Sequence, residues 1–203
     1  MKKILLPSAI MAALAFMIIS TAPLSGEDDP FSQWTGFSRS TDAKKMIGWM
    51  HCSMVEFVAG SRCSQYPDFS APPFYGRYGL FVTLVKRGRV RGCFGAFDHR
   101  ADRIDVVLKE YLHGAMRRDN RYPPLEPVET DHVRIIVTVA GRQYPVENLE
   151  DVDIARYGIV VTFEDNERAV YVPSEIKSTD ALKRALKGRE ISQIHAFRAV
   201  TIK

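Results

Sequence analysis

The sequence predicts an α+β fold, a mixed and mostly antiparallel sheet with helices packed on it. Three observations carry this. Two strand pairs, one within residues 80–97 and one within 157–172, are each joined by a short polar turn, and hairpins pair antiparallel. Helical periodicity falls between these hairpins, which points to layered α+β packing rather than a doubly wound sheet. The order is helix, hairpin, helix, strand, hairpin, helix, strand.

The chain opens with Met1-Lys2-Lys3, an apolar run over 4–19, and small residues at Ser20, Ala22, Ser25 and Gly26. A basic start, a short apolar stretch and small residues lay out a secretory signal peptide over 1–26, cleaved after Ala22 or Gly26. The apolar run is shorter than the roughly 20 residues of a spanning helix. The expectation is therefore a periplasmic or secreted protein with no membrane segment after cleavage; an uncleaved anchor is the alternative. Residues 27–73 are expected to hold an irregular lead-in and one helix, and 74–203 the core of the same single domain.

Each element has its own signature. Ser40, Thr41 or Asp42 can cap a helix to about Val58, with Met46, Ile47, Met50, Met54 and Phe57 on one face. Residues 62–76 hold three prolines and read as a loop. Residues 80–85 and 89–97 form a hairpin, in which Gly92, Phe94 and Ala96 share one face and Arg91, Cys93, Gly95 and Phe97 the other. Ile104, Val107, Leu108, Tyr111, Leu112, Ala115 and Met116 recur at three- and four-residue steps, the strongest helical pattern in the chain. Residues 133–139 alternate as a strand that Gly141 ends. A second hairpin follows at 157–172, then a short helix capped by Ser178 or Asp180, then a strand over 194–202.

The chain has 203 residues, 28 Lys and Arg against 24 Asp and Glu, and a formal net charge of +4. Without Lys2 and Lys3 the balance is nearly neutral, which does not suggest a nucleic-acid partner. There is no C-x-x-C, H-E-x-x-H, phosphate-loop or G-x-S-x-G pattern, so no metal site and no cofactor is expected. His99, in a turn, reads as solvated.

The chemistry concentrates at Arg91-Gly92-Cys93-Phe94-Gly95. Gly92 and Gly95 bracket a thiol inside a strand, which marks either a close approach by a ligand or a helix packed on the sheet. A nearby cation turns a thiol into a nucleophile by lowering its pKa from about 8.5, and Arg91 shares the strand face. A base would come from His113, His132, Glu126 or Glu129; spacing selects none, and His113 and Glu129 are carried forward as candidate catalytic partners. The competing reading is a small buried cysteine that packs as a hydrophobe. Asp119 and Arg121 stand two apart before a rigid Pro123-Pro124; they can pair with each other or hold a carboxylate or phosphate.

Three cysteines cannot all pair within one chain. In an oxidising compartment, Cys52 near a helix end and Cys63 in the following loop are expected to bridge, leaving Cys93 free. In a reducing compartment all three would stay reduced.

Phe81-Val82-Thr83-Leu84, Arg91-Gly92-Cys93-Phe94-Gly95 and Asp119-Asn120-Arg121-Tyr122-Pro123-Pro124-Leu125 stand in the order and at about the distances of the AMMECR1 domain family, which the chain resembles. Tyr157-Gly158-Ile159 and Tyr171-Val172-Pro173-Ser174-Glu175 extend the likeness. It implies a mixed α/β domain of two subdomains with a cleft between them, and no settled activity. The tail after Pro173 is shorter than the family pattern. Two functions are therefore carried forward: an enzyme using Cys93 in a cleft shaped by Arg91, Asp119 and Arg121, or a non-catalytic module binding a small anionic ligand or a protein there.

Overall fold

The computed structural model describes residue 29 and residues 31–203; the expected leader lies outside them. A six-stranded sheet organises the chain. Its strands are β1 (Gly79–Lys86), β2 (Arg89–Ala96), β3 (Val133–Pro145), β4 (Tyr157–Phe163), β5 (Arg168–Tyr171) and β6 (Ile191–Ile202). They lie in the order β2-β1-β3-β6-β4-β5, and every neighbouring pair is antiparallel.

Among the described residues four α-helices accompany the sheet: α1 (Ser32–Phe37), α2 (Thr41–Ala59), α3 (Ile104–Arg117) and α4 (Thr179–Leu186). The caps are local and legible. The Ser40 side chain accepts from Ala43 N–H to start α2, and Gly60, in the left-handed region at φ 70°, ends it. Ser178 caps α4 in the same way.

Strand alternation sorts the core. Leu80, Val82 and Leu84 of β1 and Ile135, Val137 and Val139 of β3 meet Met46, Met50 and Met54 of α2 and Leu108, Leu112 and Met116 of α3. Each such buried side chain contributes about 1.5–3 kcal/mol. At the other end Ile159, Val161 and Ala196 pack with Leu182 and Leu186 of α4. Ala196, Val200 and Ile202 share one parity along β6, so both helical layers cover the same face. The two expected subdomains are thus the two helix-covered ends of one continuous sheet.

The opposite face is lined by Phe81, Ala140, Val160, Val172 and Phe197, with Cys93 and Phe97 packed against them. These residues come from both edges of the sheet, so the sheet curls about this face. The curl brings the segment after β5 back over β1 and β2, where Ser174 reaches Thr83.

Three expectations change. The irregular lead-in contains α1, because Phe31, Trp34 and Phe37 all bury in the larger core. Gly141 does not end β3, which continues through a bulge to Pro145. A Cβ at Gly141 would stand 2.7 Å from the Phe31 ring, so the glycine makes room for that ring. His99 is not solvated, since its ring nitrogens lie 2.8 Å from Tyr111 Oη and 2.8 Å from the Tyr78 carbonyl. Cys52 and Cys63 form the expected disulfide, and Cys93 is free.

Candidate functional site

Cys93 sits mid-strand in β2, directly opposite Thr83 of β1. Its Sγ lies 3.4 Å from Thr83 Oγ1, and Ser174 Oγ donates to that same hydroxyl at 3.1 Å. The Cys93 N–H donates to Asp119 Oδ2 at 2.8 Å, although Cys93 occupies an edge strand and Asp119 the loop after α3. Asp119 in turn accepts from Arg121 three times, through N–H, Nε and Nη2. Arg121 Nη2 also donates to Glu175 Oε1 at 2.9 Å. The site is therefore a junction of β1, β2, the loop after α3 and the turn after β5.

The electrostatics follow from burial and pairing. Burial pushes the Cys93 thiol up, and Glu175 beside it pushes further in the same direction. The Glu175 side chain is only 4% exposed, and its burial raises its carboxyl pKa against the pull of Arg121. Burial also pushes Asp119 up, but hydrogen bonds from Arg121 and from the Cys93 N–H outweigh it and hold its carboxyl below the usual range. Asp119 in return holds the proton on Arg121 firmly. The guanidinium, 45% exposed, serves two carboxylates at once.

Arg91 does not activate the thiol. Its guanidinium closes a separate clasp, donating to Glu129 through Nε and Nη2 and to the carbonyls of Pro123 and Pro124. Lys86 donates to the same Glu129 at 2.8 Å, and the Glu126 N–H to its other oxygen at 3.0 Å. Arg91 first and Lys86 next hold the Glu129 carboxyl at about 2. A carboxylate with that pKa and four donors is a structural anchor, not a base matched to neutral pH. His113 packs its ring 5.2 Å from Phe57, on the helix-covered side of the sheet, whereas Cys93 faces the curled side. His132 is exposed at the end of a 3-10 turn, Pro127–His132. None of the expected bases joins the thiol.

The two glycines serve packing. A Cβ at Gly92 would stand 2.0 Å from the Ala115 carbonyl oxygen of α3. At Gly95 it would stand 2.3 Å from Leu80 O and 2.5 Å from the Phe81 ring. Of the sequence candidates, Cys93, Asp119 and Arg121 converge, and Arg91 reaches the neighbouring Pro123-Pro124 stretch. Thr83, Ser174 and Glu175 complete the junction; only their membership of the resembling motifs marked them in the sequence.

The AMMECR1 family model matches residues 51–198, most of the chain and all of this junction. The chain belongs to the AMMECR1 family. A Thermotoga maritima relative is 30% identical over 124 residues, covering 60% of this chain and 70% of its own. A Methanothermobacter thermautotrophicus relative is 30% identical over 106 residues, 52% of this chain and 55% of its own. An uncharacterized Arabidopsis thaliana protein is 29% identical over 152 residues, 64% of this chain and 70% of its own. The match thus spans little more than half of the archaeal relative. The crystal structure of an uncharacterized protein from Pyrococcus horikoshii superposes with a TM-score of 0.59 at 16% identity, over 79% of this chain and 90% of that one, which supports the AMMECR1 fold.

Proposed function

We propose that this AMMECR1 domain is a non-catalytic binding module, and that the Cys93 junction stiffens the surface its ligand or protein partner meets. One observation carries this reading over the thiol-enzyme reading: the environment of the thiol favours its protonated form. Burial acts most strongly, the Glu175 charge adds to it, and Arg91 is committed elsewhere; the Thr83 hydroxyl and Arg121 pull the other way and are outweighed. A nucleophilic cysteine needs the reverse, an electropositive setting that favours thiolate. The half-exposed Arg121 and the adjacent Tyr122 supply the outward face of the junction, the guanidinium lying 5.6 Å from the ring centroid. Because Asp119 and Glu175 already neutralise Arg121, that face suits a partner of mixed polarity better than a simple anion.

Alkylation kinetics test this reading. The rate of Cys93 modification by iodoacetamide is expected to climb only above about pH 9. A rate already at its plateau by pH 7 would favour the enzyme. We also propose that the chain functions outside the cytoplasm. The layout of residues 1–26 and the Cys52–Cys63 bridge support this, since such bridges persist where the compartment is oxidising. Intact-mass measurement of exported protein checks it: a mature start between residues 23 and 27 is expected, and a full-length species confined to the cytoplasm would refute it.

A further inference from the structure

We infer that a second site, which shares the Tyr122 ring with the outward face of the thiol junction, binds the phosphate or carboxylate group of a small molecule with a flat apolar body. A cavity of about 490 Å³ lies at the turn of the β1–β2 hairpin, lined by Lys86, Arg87, Arg89, Val90, Arg91 and Tyr122. That volume suits a small organic molecule rather than a bare ion.

Charge is the first argument. Four of the six lining residues are cationic, and a single carboxylate, Glu129, pairs with two of them. Arg87 and Arg89 are exposed and form no ion pair among the described residues. A concave surface with this excess focuses a positive field on whatever enters. Arginine forks match phosphate and carboxylate with two parallel hydrogen bonds.

The turn is the second argument, and it is independent of the cavity. Lys86 pairs with Arg89, so Arg87 and Gly88 form a two-residue connection. Both are left-handed, at φ 50° and 73°. Such turns favour Asn, Asp or Gly at the first position. An arginine there gives up local stability, and a broken local rule without a structural gain points to function. The structure offers no packing role for Arg87, which is exposed.

The walls explain the flat body. Arg91, 13% exposed, is locked by Glu129 and two carbonyls, so one side of the cavity is rigid before anything binds. The Tyr122 ring and Val90 supply apolar surface against which a ring can stack. Without Lys2 and Lys3 the chain is nearly neutral, which separates this local patch from a polyanion-binding surface.

Calorimetric titration of the purified protein with phenyl phosphate, inorganic phosphate and phenol tests the proposal. Phenyl phosphate is expected to bind about tenfold more tightly than either fragment, and to weaken as salt rises. Arg87→Asn, which suits the turn and so keeps the hairpin, is expected to weaken it at least about fivefold, and Tyr122→Ala by a similar factor. Thermal melts confirm that each variant is folded. Absence of binding at millimolar phenyl phosphate, equal binding by folded Arg87→Asn, or binding of phenol as tightly as phenyl phosphate would overturn the proposal. So would tighter binding of a 12-nucleotide single strand, which would make the patch a nucleic-acid surface.

Discussion

The Cys93 N–H and the Asp119 Oδ2 meet at 2.8 Å, a bond that ties the middle of an edge strand to the loop leaving α3. It gives the strand a partner on the side where the sheet offers none, and it aims Asp119 so that Arg121 can bridge to Glu175. The bond belongs to the backbone of Cys93, so the position can matter structurally whatever the thiol does.

Asp119→Asn is expected to destabilise the fold by about 2 kcal/mol, since charge-assisted bonds from Arg121 and Cys93 are weakened together. For a domain of this size the midpoint falls by roughly 4–8 °C. The sign with pH follows from the lowered carboxyl. Its contribution is present above the ordinary carboxylate pKa of 3.8 and is lost as pH falls through the lower folded value. Melting curves from pH 7 to pH 2 should therefore show wild type and variant converging in acid; a constant gap contradicts the assignment.

Glu175→Gln removes the negative charge beside the thiol and is expected to speed Cys93 alkylation at pH 8 several-fold. Arg121→Gln removes a charge that lowers the thiol and is expected to slow it. Opposite signs in the two variants are the readout. A common direction would mean that loosened packing, not charge, controls the thiol.

The Arg91–Glu129 clasp is predicted to be structural. Glu129→Gln should cost about 2 kcal/mol near neutral pH. With the carboxyl held at about 2 against an ordinary 4.5, that stabilisation is full above pH 4.5 and fades as pH falls toward 2. Arg91→Lys should cost a comparable amount, because an ammonium cannot span Glu129 and two carbonyls together. Neither variant should change the pH profile of Cys93 alkylation. A profile displaced by Arg91→Lys would restore Arg91 as an activating group.

Gly92→Ala places a Cβ 2.0 Å from the Ala115 carbonyl oxygen. Backbone on both sides must move, so a loss of about 3 kcal/mol or more is expected. Denaturant titration measures it. A near-neutral result would mean that α3 sits further from β2 than the structure has it.

Much of the fold was legible because its signals are local. The Ser40 cap, the three- and four-residue steps of α3 and the alternation of β3 each reside within a few turns of chain. The cysteine pairing was legible for the same reason, since the bridged residues are separated by 11 positions. What stayed hidden depends on the curl of the sheet. Ser174 and Thr83 are 91 positions apart, and only the return of the β5 end over β1 joins them. Gly141 looked like a strand end because its partner, the Phe31 ring, comes from a segment with no periodicity. Arg91 looked like an activator because shared strand parity places it beside Cys93, yet a long side chain follows its best acceptors, and those lie on Glu129 and the Pro123-Pro124 carbonyls.

The pH titration of the Cys93 thiol tests the central claim most directly. With Cys52 and Cys63 bridged, the ¹³Cβ resonance of cysteine-labelled protein reports one thiol alone. A shift that begins only above pH 9, while the fold remains intact, is the result expected of a packed, protonated cysteine in a binding module. A midpoint at or below pH 7 would contradict it and return Cys93 to the role of nucleophile.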